Sequence, residues 1–180
     1  MNRCLLSSVA ALTCLLTLGT SASEPNTNPL PLQPKRKLQF QVDEGTWMSV
    51  DIAPDAQRIA FELLGDIYTL DANGGDAKVL LGGLAFESQP VYSPDGKRLA
   101  FVSDRSGAEN LWIANADGSA PLQLSKDEDR TFASPAWSPD GQYVYVARSV
   151  PSYGLYEIWM YHVRGGSGVQ ITRANGSTPG

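Results

Sequence analysis

Cysteine and histidine are nearly missing from this chain. The two cysteines, Cys4 and Cys14, both stand near the start, and the one histidine is His162. Beyond Cys14 there can be no disulfide framework and no thiolate metal site. Metal hydrolases take several His or carboxylate ligands at short spacing, and neither HExxH nor a His-x-His pair occurs. His162 ends an expected strand after Trp159-Met160-Tyr161 and reads as a structural residue. In RGGSGV (Arg164–Val169), Gly165 and Ser167 are spaced as in a nucleophile elbow, but Val169 stands where the second glycine belongs. No phosphate loop and no GxGxxG fingerprint occurs. Asp71–Asp76 (DANGGD) lacks the sixth-position Gly and the closing Glu of a calcium loop, so it reads as a hairpin turn. No catalytic, cofactor-binding or metal-binding residue is assigned, and no cofactor is expected within these residues.

Basic residues are also in short supply. The 14 Lys and Arg face 19 Asp and Glu, a net charge of −5. Nucleic-acid binding rests on phosphate neutralisation by Lys and Arg, so a nucleic-acid partner is not expected. The charges are dispersed except at Lys35-Arg36-Lys37 and Lys126-Asp127-Glu128-Asp129, both expected as solvated loops. Long apolar runs are confined to the N-terminus. Arg3, the apolar stretch Cys4–Leu18 and the small residues Thr20-Ser21-Ala22-Ser23 have the order of a secretory signal peptide, expected over 1–23. The stretch is short for a span of about 20 residues. A periplasmic or secreted location follows, with no membrane association after cleavage. Without Arg3 the basic count falls to 13 and the net charge to −6. Asn175-Gly176-Ser177 matches a glycosylation sequon, a common chance pattern.

What the chain has is a phrase used three times: IAPDAQRIAFE from Ile52, YSPDGKRLAFV from Tyr92 and WSPDGQYVYVA from Trp137. Pro54, Pro94 and Pro139 are separated by 40 and 45 residues. A period of roughly 40–45 residues is that of a β-propeller blade. Proline sets φ for the first corner of a tight turn, Asp bonds nearby amides and Gly supplies a positive-φ exit. Asp95-Gly96 and Asp140-Gly141 fit; Asp55-Ala56 must avoid positive φ or carry strain. Asp55, Asp95 and Asp140 are read as turn residues.

The expected organisation is a signal peptide, a Pro-rich linker over 24–37, and an incomplete propeller over 38–180. A half-buried strand is expected at Leu38–Val42 and a turn at Asp43–Trp47. Blade one (about 47–83) takes strands Trp47–Ala53, Arg58–Glu62, Asp66–Asp71 and Lys78–Leu81. Blade two (about 87–125) takes Gln89–Ser93, Arg98–Ser103, Asn110–Asn115 and Pro121–Leu124. Blade three (about 133–173) takes Ser134–Ser138, Tyr143–Arg148, Leu155–His162 and Gly168–Thr172. Leu99–Val102, Leu111–Ala114 and Val144–Ala147 are apolar on both faces, as strands covered on both sides are. A β-sandwich explains the strand lengths but not the repeated phrase. Pro90, Pro135 and Pro179 repeat at 45 and 44 residues, placing the start of a fourth blade at 177–180. Propellers have four to eight blades, so an N-terminal fragment is expected, with its remaining blades and a C-terminal domain as intramolecular partners. Asp104-Arg105-Ser106-Gly107 joins two strands of blade two. It is expected either as an Asp–Arg pair bracing the hairpin or as a rim loop touching a partner.

YSPDGKRLAFVSDRSGAENLWIANADG and AWSPDGQYVYVARS resemble TolB-like β-propeller repeats, and the resemblance runs from Trp47 onward. Leu38–Leu70, leading into AFESQPVYSPDGK, is similar to the start of large secreted bacterial amidohydrolases, in which such a propeller precedes a metal-dependent barrel. That resemblance implies a divalent metal only in a later domain. Two other functions are open: a scaffold holding an envelope protein at the propeller rim, and the gating propeller of a serine peptidase of the prolyl oligopeptidase type.

Overall fold

A computed structural model describes residues 36, 41–42, 44–46, 48–151 and 154–173. They form twelve strands and no helix. Sheet one is β1 (Val50–Ile52), β2 (Arg58–Leu63), β3 (Asp66–Asp71) and β4 (Lys78–Leu81). Sheet two is β5 (Glu87–Tyr92), β6 (Arg98–Ser103), β7 (Asn110–Asn115) and β8 (Leu122–Gln123). Sheet three is β9 (Phe132–Trp137), β10 (Tyr143–Ser149), β11 (Tyr156–His162) and β12 (Val169–Gln170). Each is an antiparallel meander in chain order. First strands of successive sheets touch, β1 with β5 and β5 with β9, while the outer strands β4, β8 and β12 fan apart. These are wedges about one axis, as the repeated phrase predicts.

The signal segment, the linker apart from exposed Arg36, the sequon and Pro179 lie outside the described residues, as do Leu38–Phe40 of the expected first strand. Its last two residues, Gln41 and Val42, are exposed and not in a strand. The other boundaries agree closely, except that the last strand is only Val169–Gln170 where Gly168–Thr172 is expected, and that the three first strands differ. The first strand of sheet one begins at Val50, with Met48 and Ser49 outside it. The first strands of sheets two and three begin two residues earlier than expected, at Glu87 and Phe132. In both, the register slips around the pre-proline residue, which adopts positive φ: Gln89 at 53° and Ser134 at 54°. Each is a bulge, and alternation of polarity does not foretell a bulge.

Alternation does sort the side chains between two cores. Ala60 and Ile67 of sheet one meet Tyr92, Leu99, Phe101 and Ala114 of sheet two. The opposite face of sheet two, with Ala100, Val102, Leu111 and Ile113, meets Val144, Val146 and Tyr161 of sheet three. Sheet two is thus covered on both sides, which explains strands with two apolar faces. Burying each large apolar side chain contributes about 1.5–3 kcal/mol.

The repeated turns share one geometry. The amides of Ala56, Gly96 and Gly141 bond the carbonyls of Ala53, Ser93 and Ser138 at 2.8, 2.8 and 2.9 Å. The Oδ1 atoms of Asp55, Asp95 and Asp140 accept the amides of Gln57, Lys97 and Gln142 at 3.0, 3.1 and 3.0 Å. The buried Ser93 and Ser138 hydroxyls donate to Asp95 and Asp140 at 2.6 Å and accept the amides of Arg98 and Tyr143 at 2.9 Å. The first copy has Ala53 at this position and lacks that link. Ala56 takes φ of 55°, beside 67° and 65° for Gly96 and Gly141. The alternative of an Ala56 that avoids positive φ is excluded, and the residue carries strain.

Two outcomes are expected. Ala56→Gly should raise stability by up to about 1 kcal/mol, because left-handed φ costs a Cβ-bearing residue roughly 1–2 kcal/mol while glycine's unfolded-state freedom offsets part of the gain. Gly96→Ala should lower stability by a similar amount, and urea unfolding reads both. The serine hydroxyls are the main cause holding the Asp95 and Asp140 carboxyls below their ordinary value. A depressed carboxylate stabilises above its unfolded value, here 3.8, and that contribution is lost as pH falls through the lower folded value. The Ser93→Ala/Ser138→Ala variant should therefore be less stable at neutral pH and lose less on acidification, as urea midpoints at neutral and acid pH would show.

Candidate functional site

The residues singled out by chemistry fall into turns and braces. His162 Nδ1 accepts the Arg164 amide at 3.0 Å, and its ring meets Tyr143 edge-on at 5.1 Å. Ser167 lies in the loop between β11 and β12, whose turn is closed by the Gly165 amide on the His162 carbonyl at 2.9 Å. Asp71 Oδ1 accepts the amide and the side-chain nitrogen of Asn73 at 2.8 and 3.0 Å, completing the expected hairpin. No three His, Cys, Asp or Glu among the described residues converge to hold a metal.

Asp104 and Arg105 do brace sheet two, but not with each other. Asp104 Oδ1 accepts the Phe86 amide at 2.8 Å. Arg105 donates to Glu87 at 2.6 Å, and its guanidinium lies 5.2 Å from each of the Phe101 and Trp112 rings. Glu87 is 1% exposed, and burial pushes its carboxyl up despite the opposing arginine. A sequence reading pairs neighbours; the strand register puts β5 beside the loop instead.

The Lys126–Asp129 run is not wholly solvated. Asp127 takes a two-pronged bond from Arg148, through Nε at 2.9 Å and the second nitrogen. Arg148 also covers the Trp159 ring at 4.4 Å. Buried Asn110 holds the run in place, donating to the Asp127 carbonyl and accepting its amide at 2.9 and 2.8 Å. Beside this brace, an open cleft of about 630 Å³ between sheets two and three is lined by Leu122, Lys126, Arg148, Trp159, Arg164 and Ser167, among others. The Tyr161 hydroxyl below it is pushed up to about 12, first by burial and then by Asp127.

At the turn rim the sheets are fastened by a repeated arginine. Arg58 donates to the Gly96 carbonyl at 3.3 Å and lies 5.6 Å from the Tyr92 ring. Arg98 donates to the Gly141 carbonyl at 2.7 Å and lies 4.9 Å from the Trp137 ring. Nearer the axis, the bulged Gln89 amide is accepted by Glu62 and the Ser134 amide by the Gln89 side chain, both at 2.6 Å. Sequence inspection missed these contacts. Their one visible signal is Arg or Lys-Arg after the turn, paired with an aromatic before the next Ser-Pro-Asp.

Successive four-stranded wedges, each fastened to the next at its turn, define a β-propeller array. The model of the TolB beta propeller domain, PD40, matches residues 32–178, and the chain belongs to that family. The uncharacterized peptidase YuxL of Bacillus subtilis is 31% identical over 109 residues, covering 54% of this chain and 16% of that protein. The Tol-Pal system protein TolB of Anaeromyxobacter dehalogenans is 33% identical over 107 residues, covering 59% of this chain and 24% of its own length. This chain thus spans about a quarter or less of these curated relatives. Among solved structures, TolB of Acinetobacter baumannii superposes with a TM-score of 0.57 at 22% identity, over 72% of this chain and 33% of that one. A puromycin hydrolase gives 0.57 at 20% identity, over 72% and 22%. At such identities the structures speak for the fold alone.

Half-buried Arg148–Asp127 should matter more than the pair of Arg130 with exposed Asp129 at 3.3 Å. Arg148→Met should cost roughly 2 kcal/mol, the worth of a charged hydrogen bond. Arg130→Met should cost about 1 kcal/mol or less, since pairs with an exposed partner contribute little. Denaturation midpoints of the two variants check the order.

Proposed function

We propose that this region is the accessory propeller of a secreted or periplasmic hydrolase, positioning or gating substrate for a catalytic domain outside residues 1–180. The observation that carries the reading is the similarity of these blades to part of a curated peptidase six times longer than the matched piece. The described residues supply walls, turns and braces, and among their charged groups Arg58, Glu62, Arg98 and Arg148 hold successive sheets together.

Two catalytic classes are candidates, each with its own support. A serine peptidase of the prolyl oligopeptidase type is favoured by the peptidase relative and by the shared fold of the puromycin-hydrolysing structures. A metal-dependent amidohydrolase is favoured by the Leu38–Leu70 stretch alone, and the relatives named above lend it no support. In that case the divalent metal would be held by the later domain. A TolB-like scaffold binding an envelope protein is the reading without catalysis, supported by the TolB relatives.

Treatment of the full-length protein with a fluorophosphonate probe separates these. Stoichiometric covalent labelling is expected of a serine peptidase. Peptide or amide hydrolysis that resists the probe and is lost on chelation identifies an amidohydrolase. If neither labelling nor hydrolysis is found, the hydrolase reading is overturned in favour of the scaffold.

A further inference from the structure

The side chains of sheets one and two that reach forward across the two closed interfaces have counterpart positions in sheet three, and there the fastening group is missing. Asp51, which accepts the Tyr92 amide at 2.7 Å, corresponds to Ala136. The Trp137 indole, donating to the Val91 carbonyl at 2.9 Å, is instead supplied by the later sheet of a pair. Arg58 and Arg98 correspond to Tyr143, which turns its ring onto His162 of its own sheet. The bulge amides of sheets two and three are accepted by Glu62 and Gln89. In sheet three these positions are Ala147 and Ser134, which carry neither a carboxylate nor a side-chain amide. Glu109, which accepts the Phe132 amide at 2.7 Å, corresponds to Tyr156, whose hydroxyl meets Thr131 at 3.1 Å.

The face concerned carries Tyr143, Tyr145, Ala147, Ile158, Met160 and His162. It is in register with the face of sheet two that sheet three covers. There Ala100 and Ile113 are 0% and 5% exposed, whereas Ile158 is 44% exposed. Pro90 and Pro135, each the fourth residue of its first strand, repeat in the sequence once more at Pro179. We infer that this face is covered by the next repeat of the same polypeptide, and that the seam, packed by apolar and aromatic side chains without the forward-reaching bonds of the other two, parts more readily than the two fastened interfaces. A propeller with one weak seam has a built-in place to admit a ligand towards its axis. Only this last consequence rests on the gating function; the seam itself does not.

The test uses the full-length protein with single added cysteines at matched positions, Met160→Cys on the seam and Ile113→Cys on the fastened interface. The rate of modification by a thiol reagent is read, and far-UV circular dichroism establishes folding. A second pair, Ala147→Cys and Val102→Cys, replaces the first if either variant misfolds. The seam cysteine should react about tenfold faster or more, the scale of a charged hydrogen bond's contribution to local opening. Adding Arg98→Met should speed labelling at position 113 and leave position 160 unchanged. Equal rates at 160 and 113, or a slower rate at 160, would overturn the weak seam. Labelling at 160 as fast as a free thiol would overturn the covering repeat. Neither readout depends on hydrolysis, so a failed seam and a failed hydrolase assignment remain distinguishable.

Discussion

A four-stranded sheet with apolar side chains on both faces cannot stand alone in water, and everything else in this chain answers to that constraint. Each face must be covered, and the cheapest cover is another copy of the same unit. Repetition follows, and so does the wedge: first strands crowd the axis while outer strands diverge. The middle sheet shows the finished state, with Leu99, Phe101 and Ala114 packed to one side and Ala100, Val102 and Ile113 to the other. Packing of this kind is non-directional, so by itself it would let one wedge slide on the next. The arginines after the first two turns and the side chains capping the bulge amides remove that freedom by bonding particular carbonyls and amides.

The parts legible in the sequence were those encoded locally. The Pro-Asp-Gly corner specifies its own turn, and β6 and β7 came out at the expected residues because their apolar runs are bounded by turn chemistry on both sides. The bulges at Gln89 and Ser134 were not legible, because their positive φ is imposed by partners about 27 and 45 residues away in the chain. The same holds for Arg105, which looked destined for its neighbour Asp104 and instead reaches the first strand of its sheet. Asp127 is a third case: in a run of charges it reads as solvated, yet buried Asn110 and Arg148 draw it inward. What escaped the sequence was long-range pairing, and that requires the register.

For function, the described residues argue by what their charges are doing. Glu87, Asp104, Glu109 and Asp127 are all occupied in holding backbone or arginine. Such engagement accords with the accessory role proposed above for this member of the TolB beta propeller family.

Most of the bonds that join one wedge to the next have a direction, the Trp137 indole on the Val91 carbonyl being an exception. Arg58, Glu62, Gln89 and Arg98 all reach forward to groups that come later in the chain. A ribosome delivers these residues in that order, so each new wedge meets anchoring groups that already exist when it emerges. Assembly can then proceed vectorially, one unit templating its successor, with each nascent face left exposed only until the next forty-odd residues arrive.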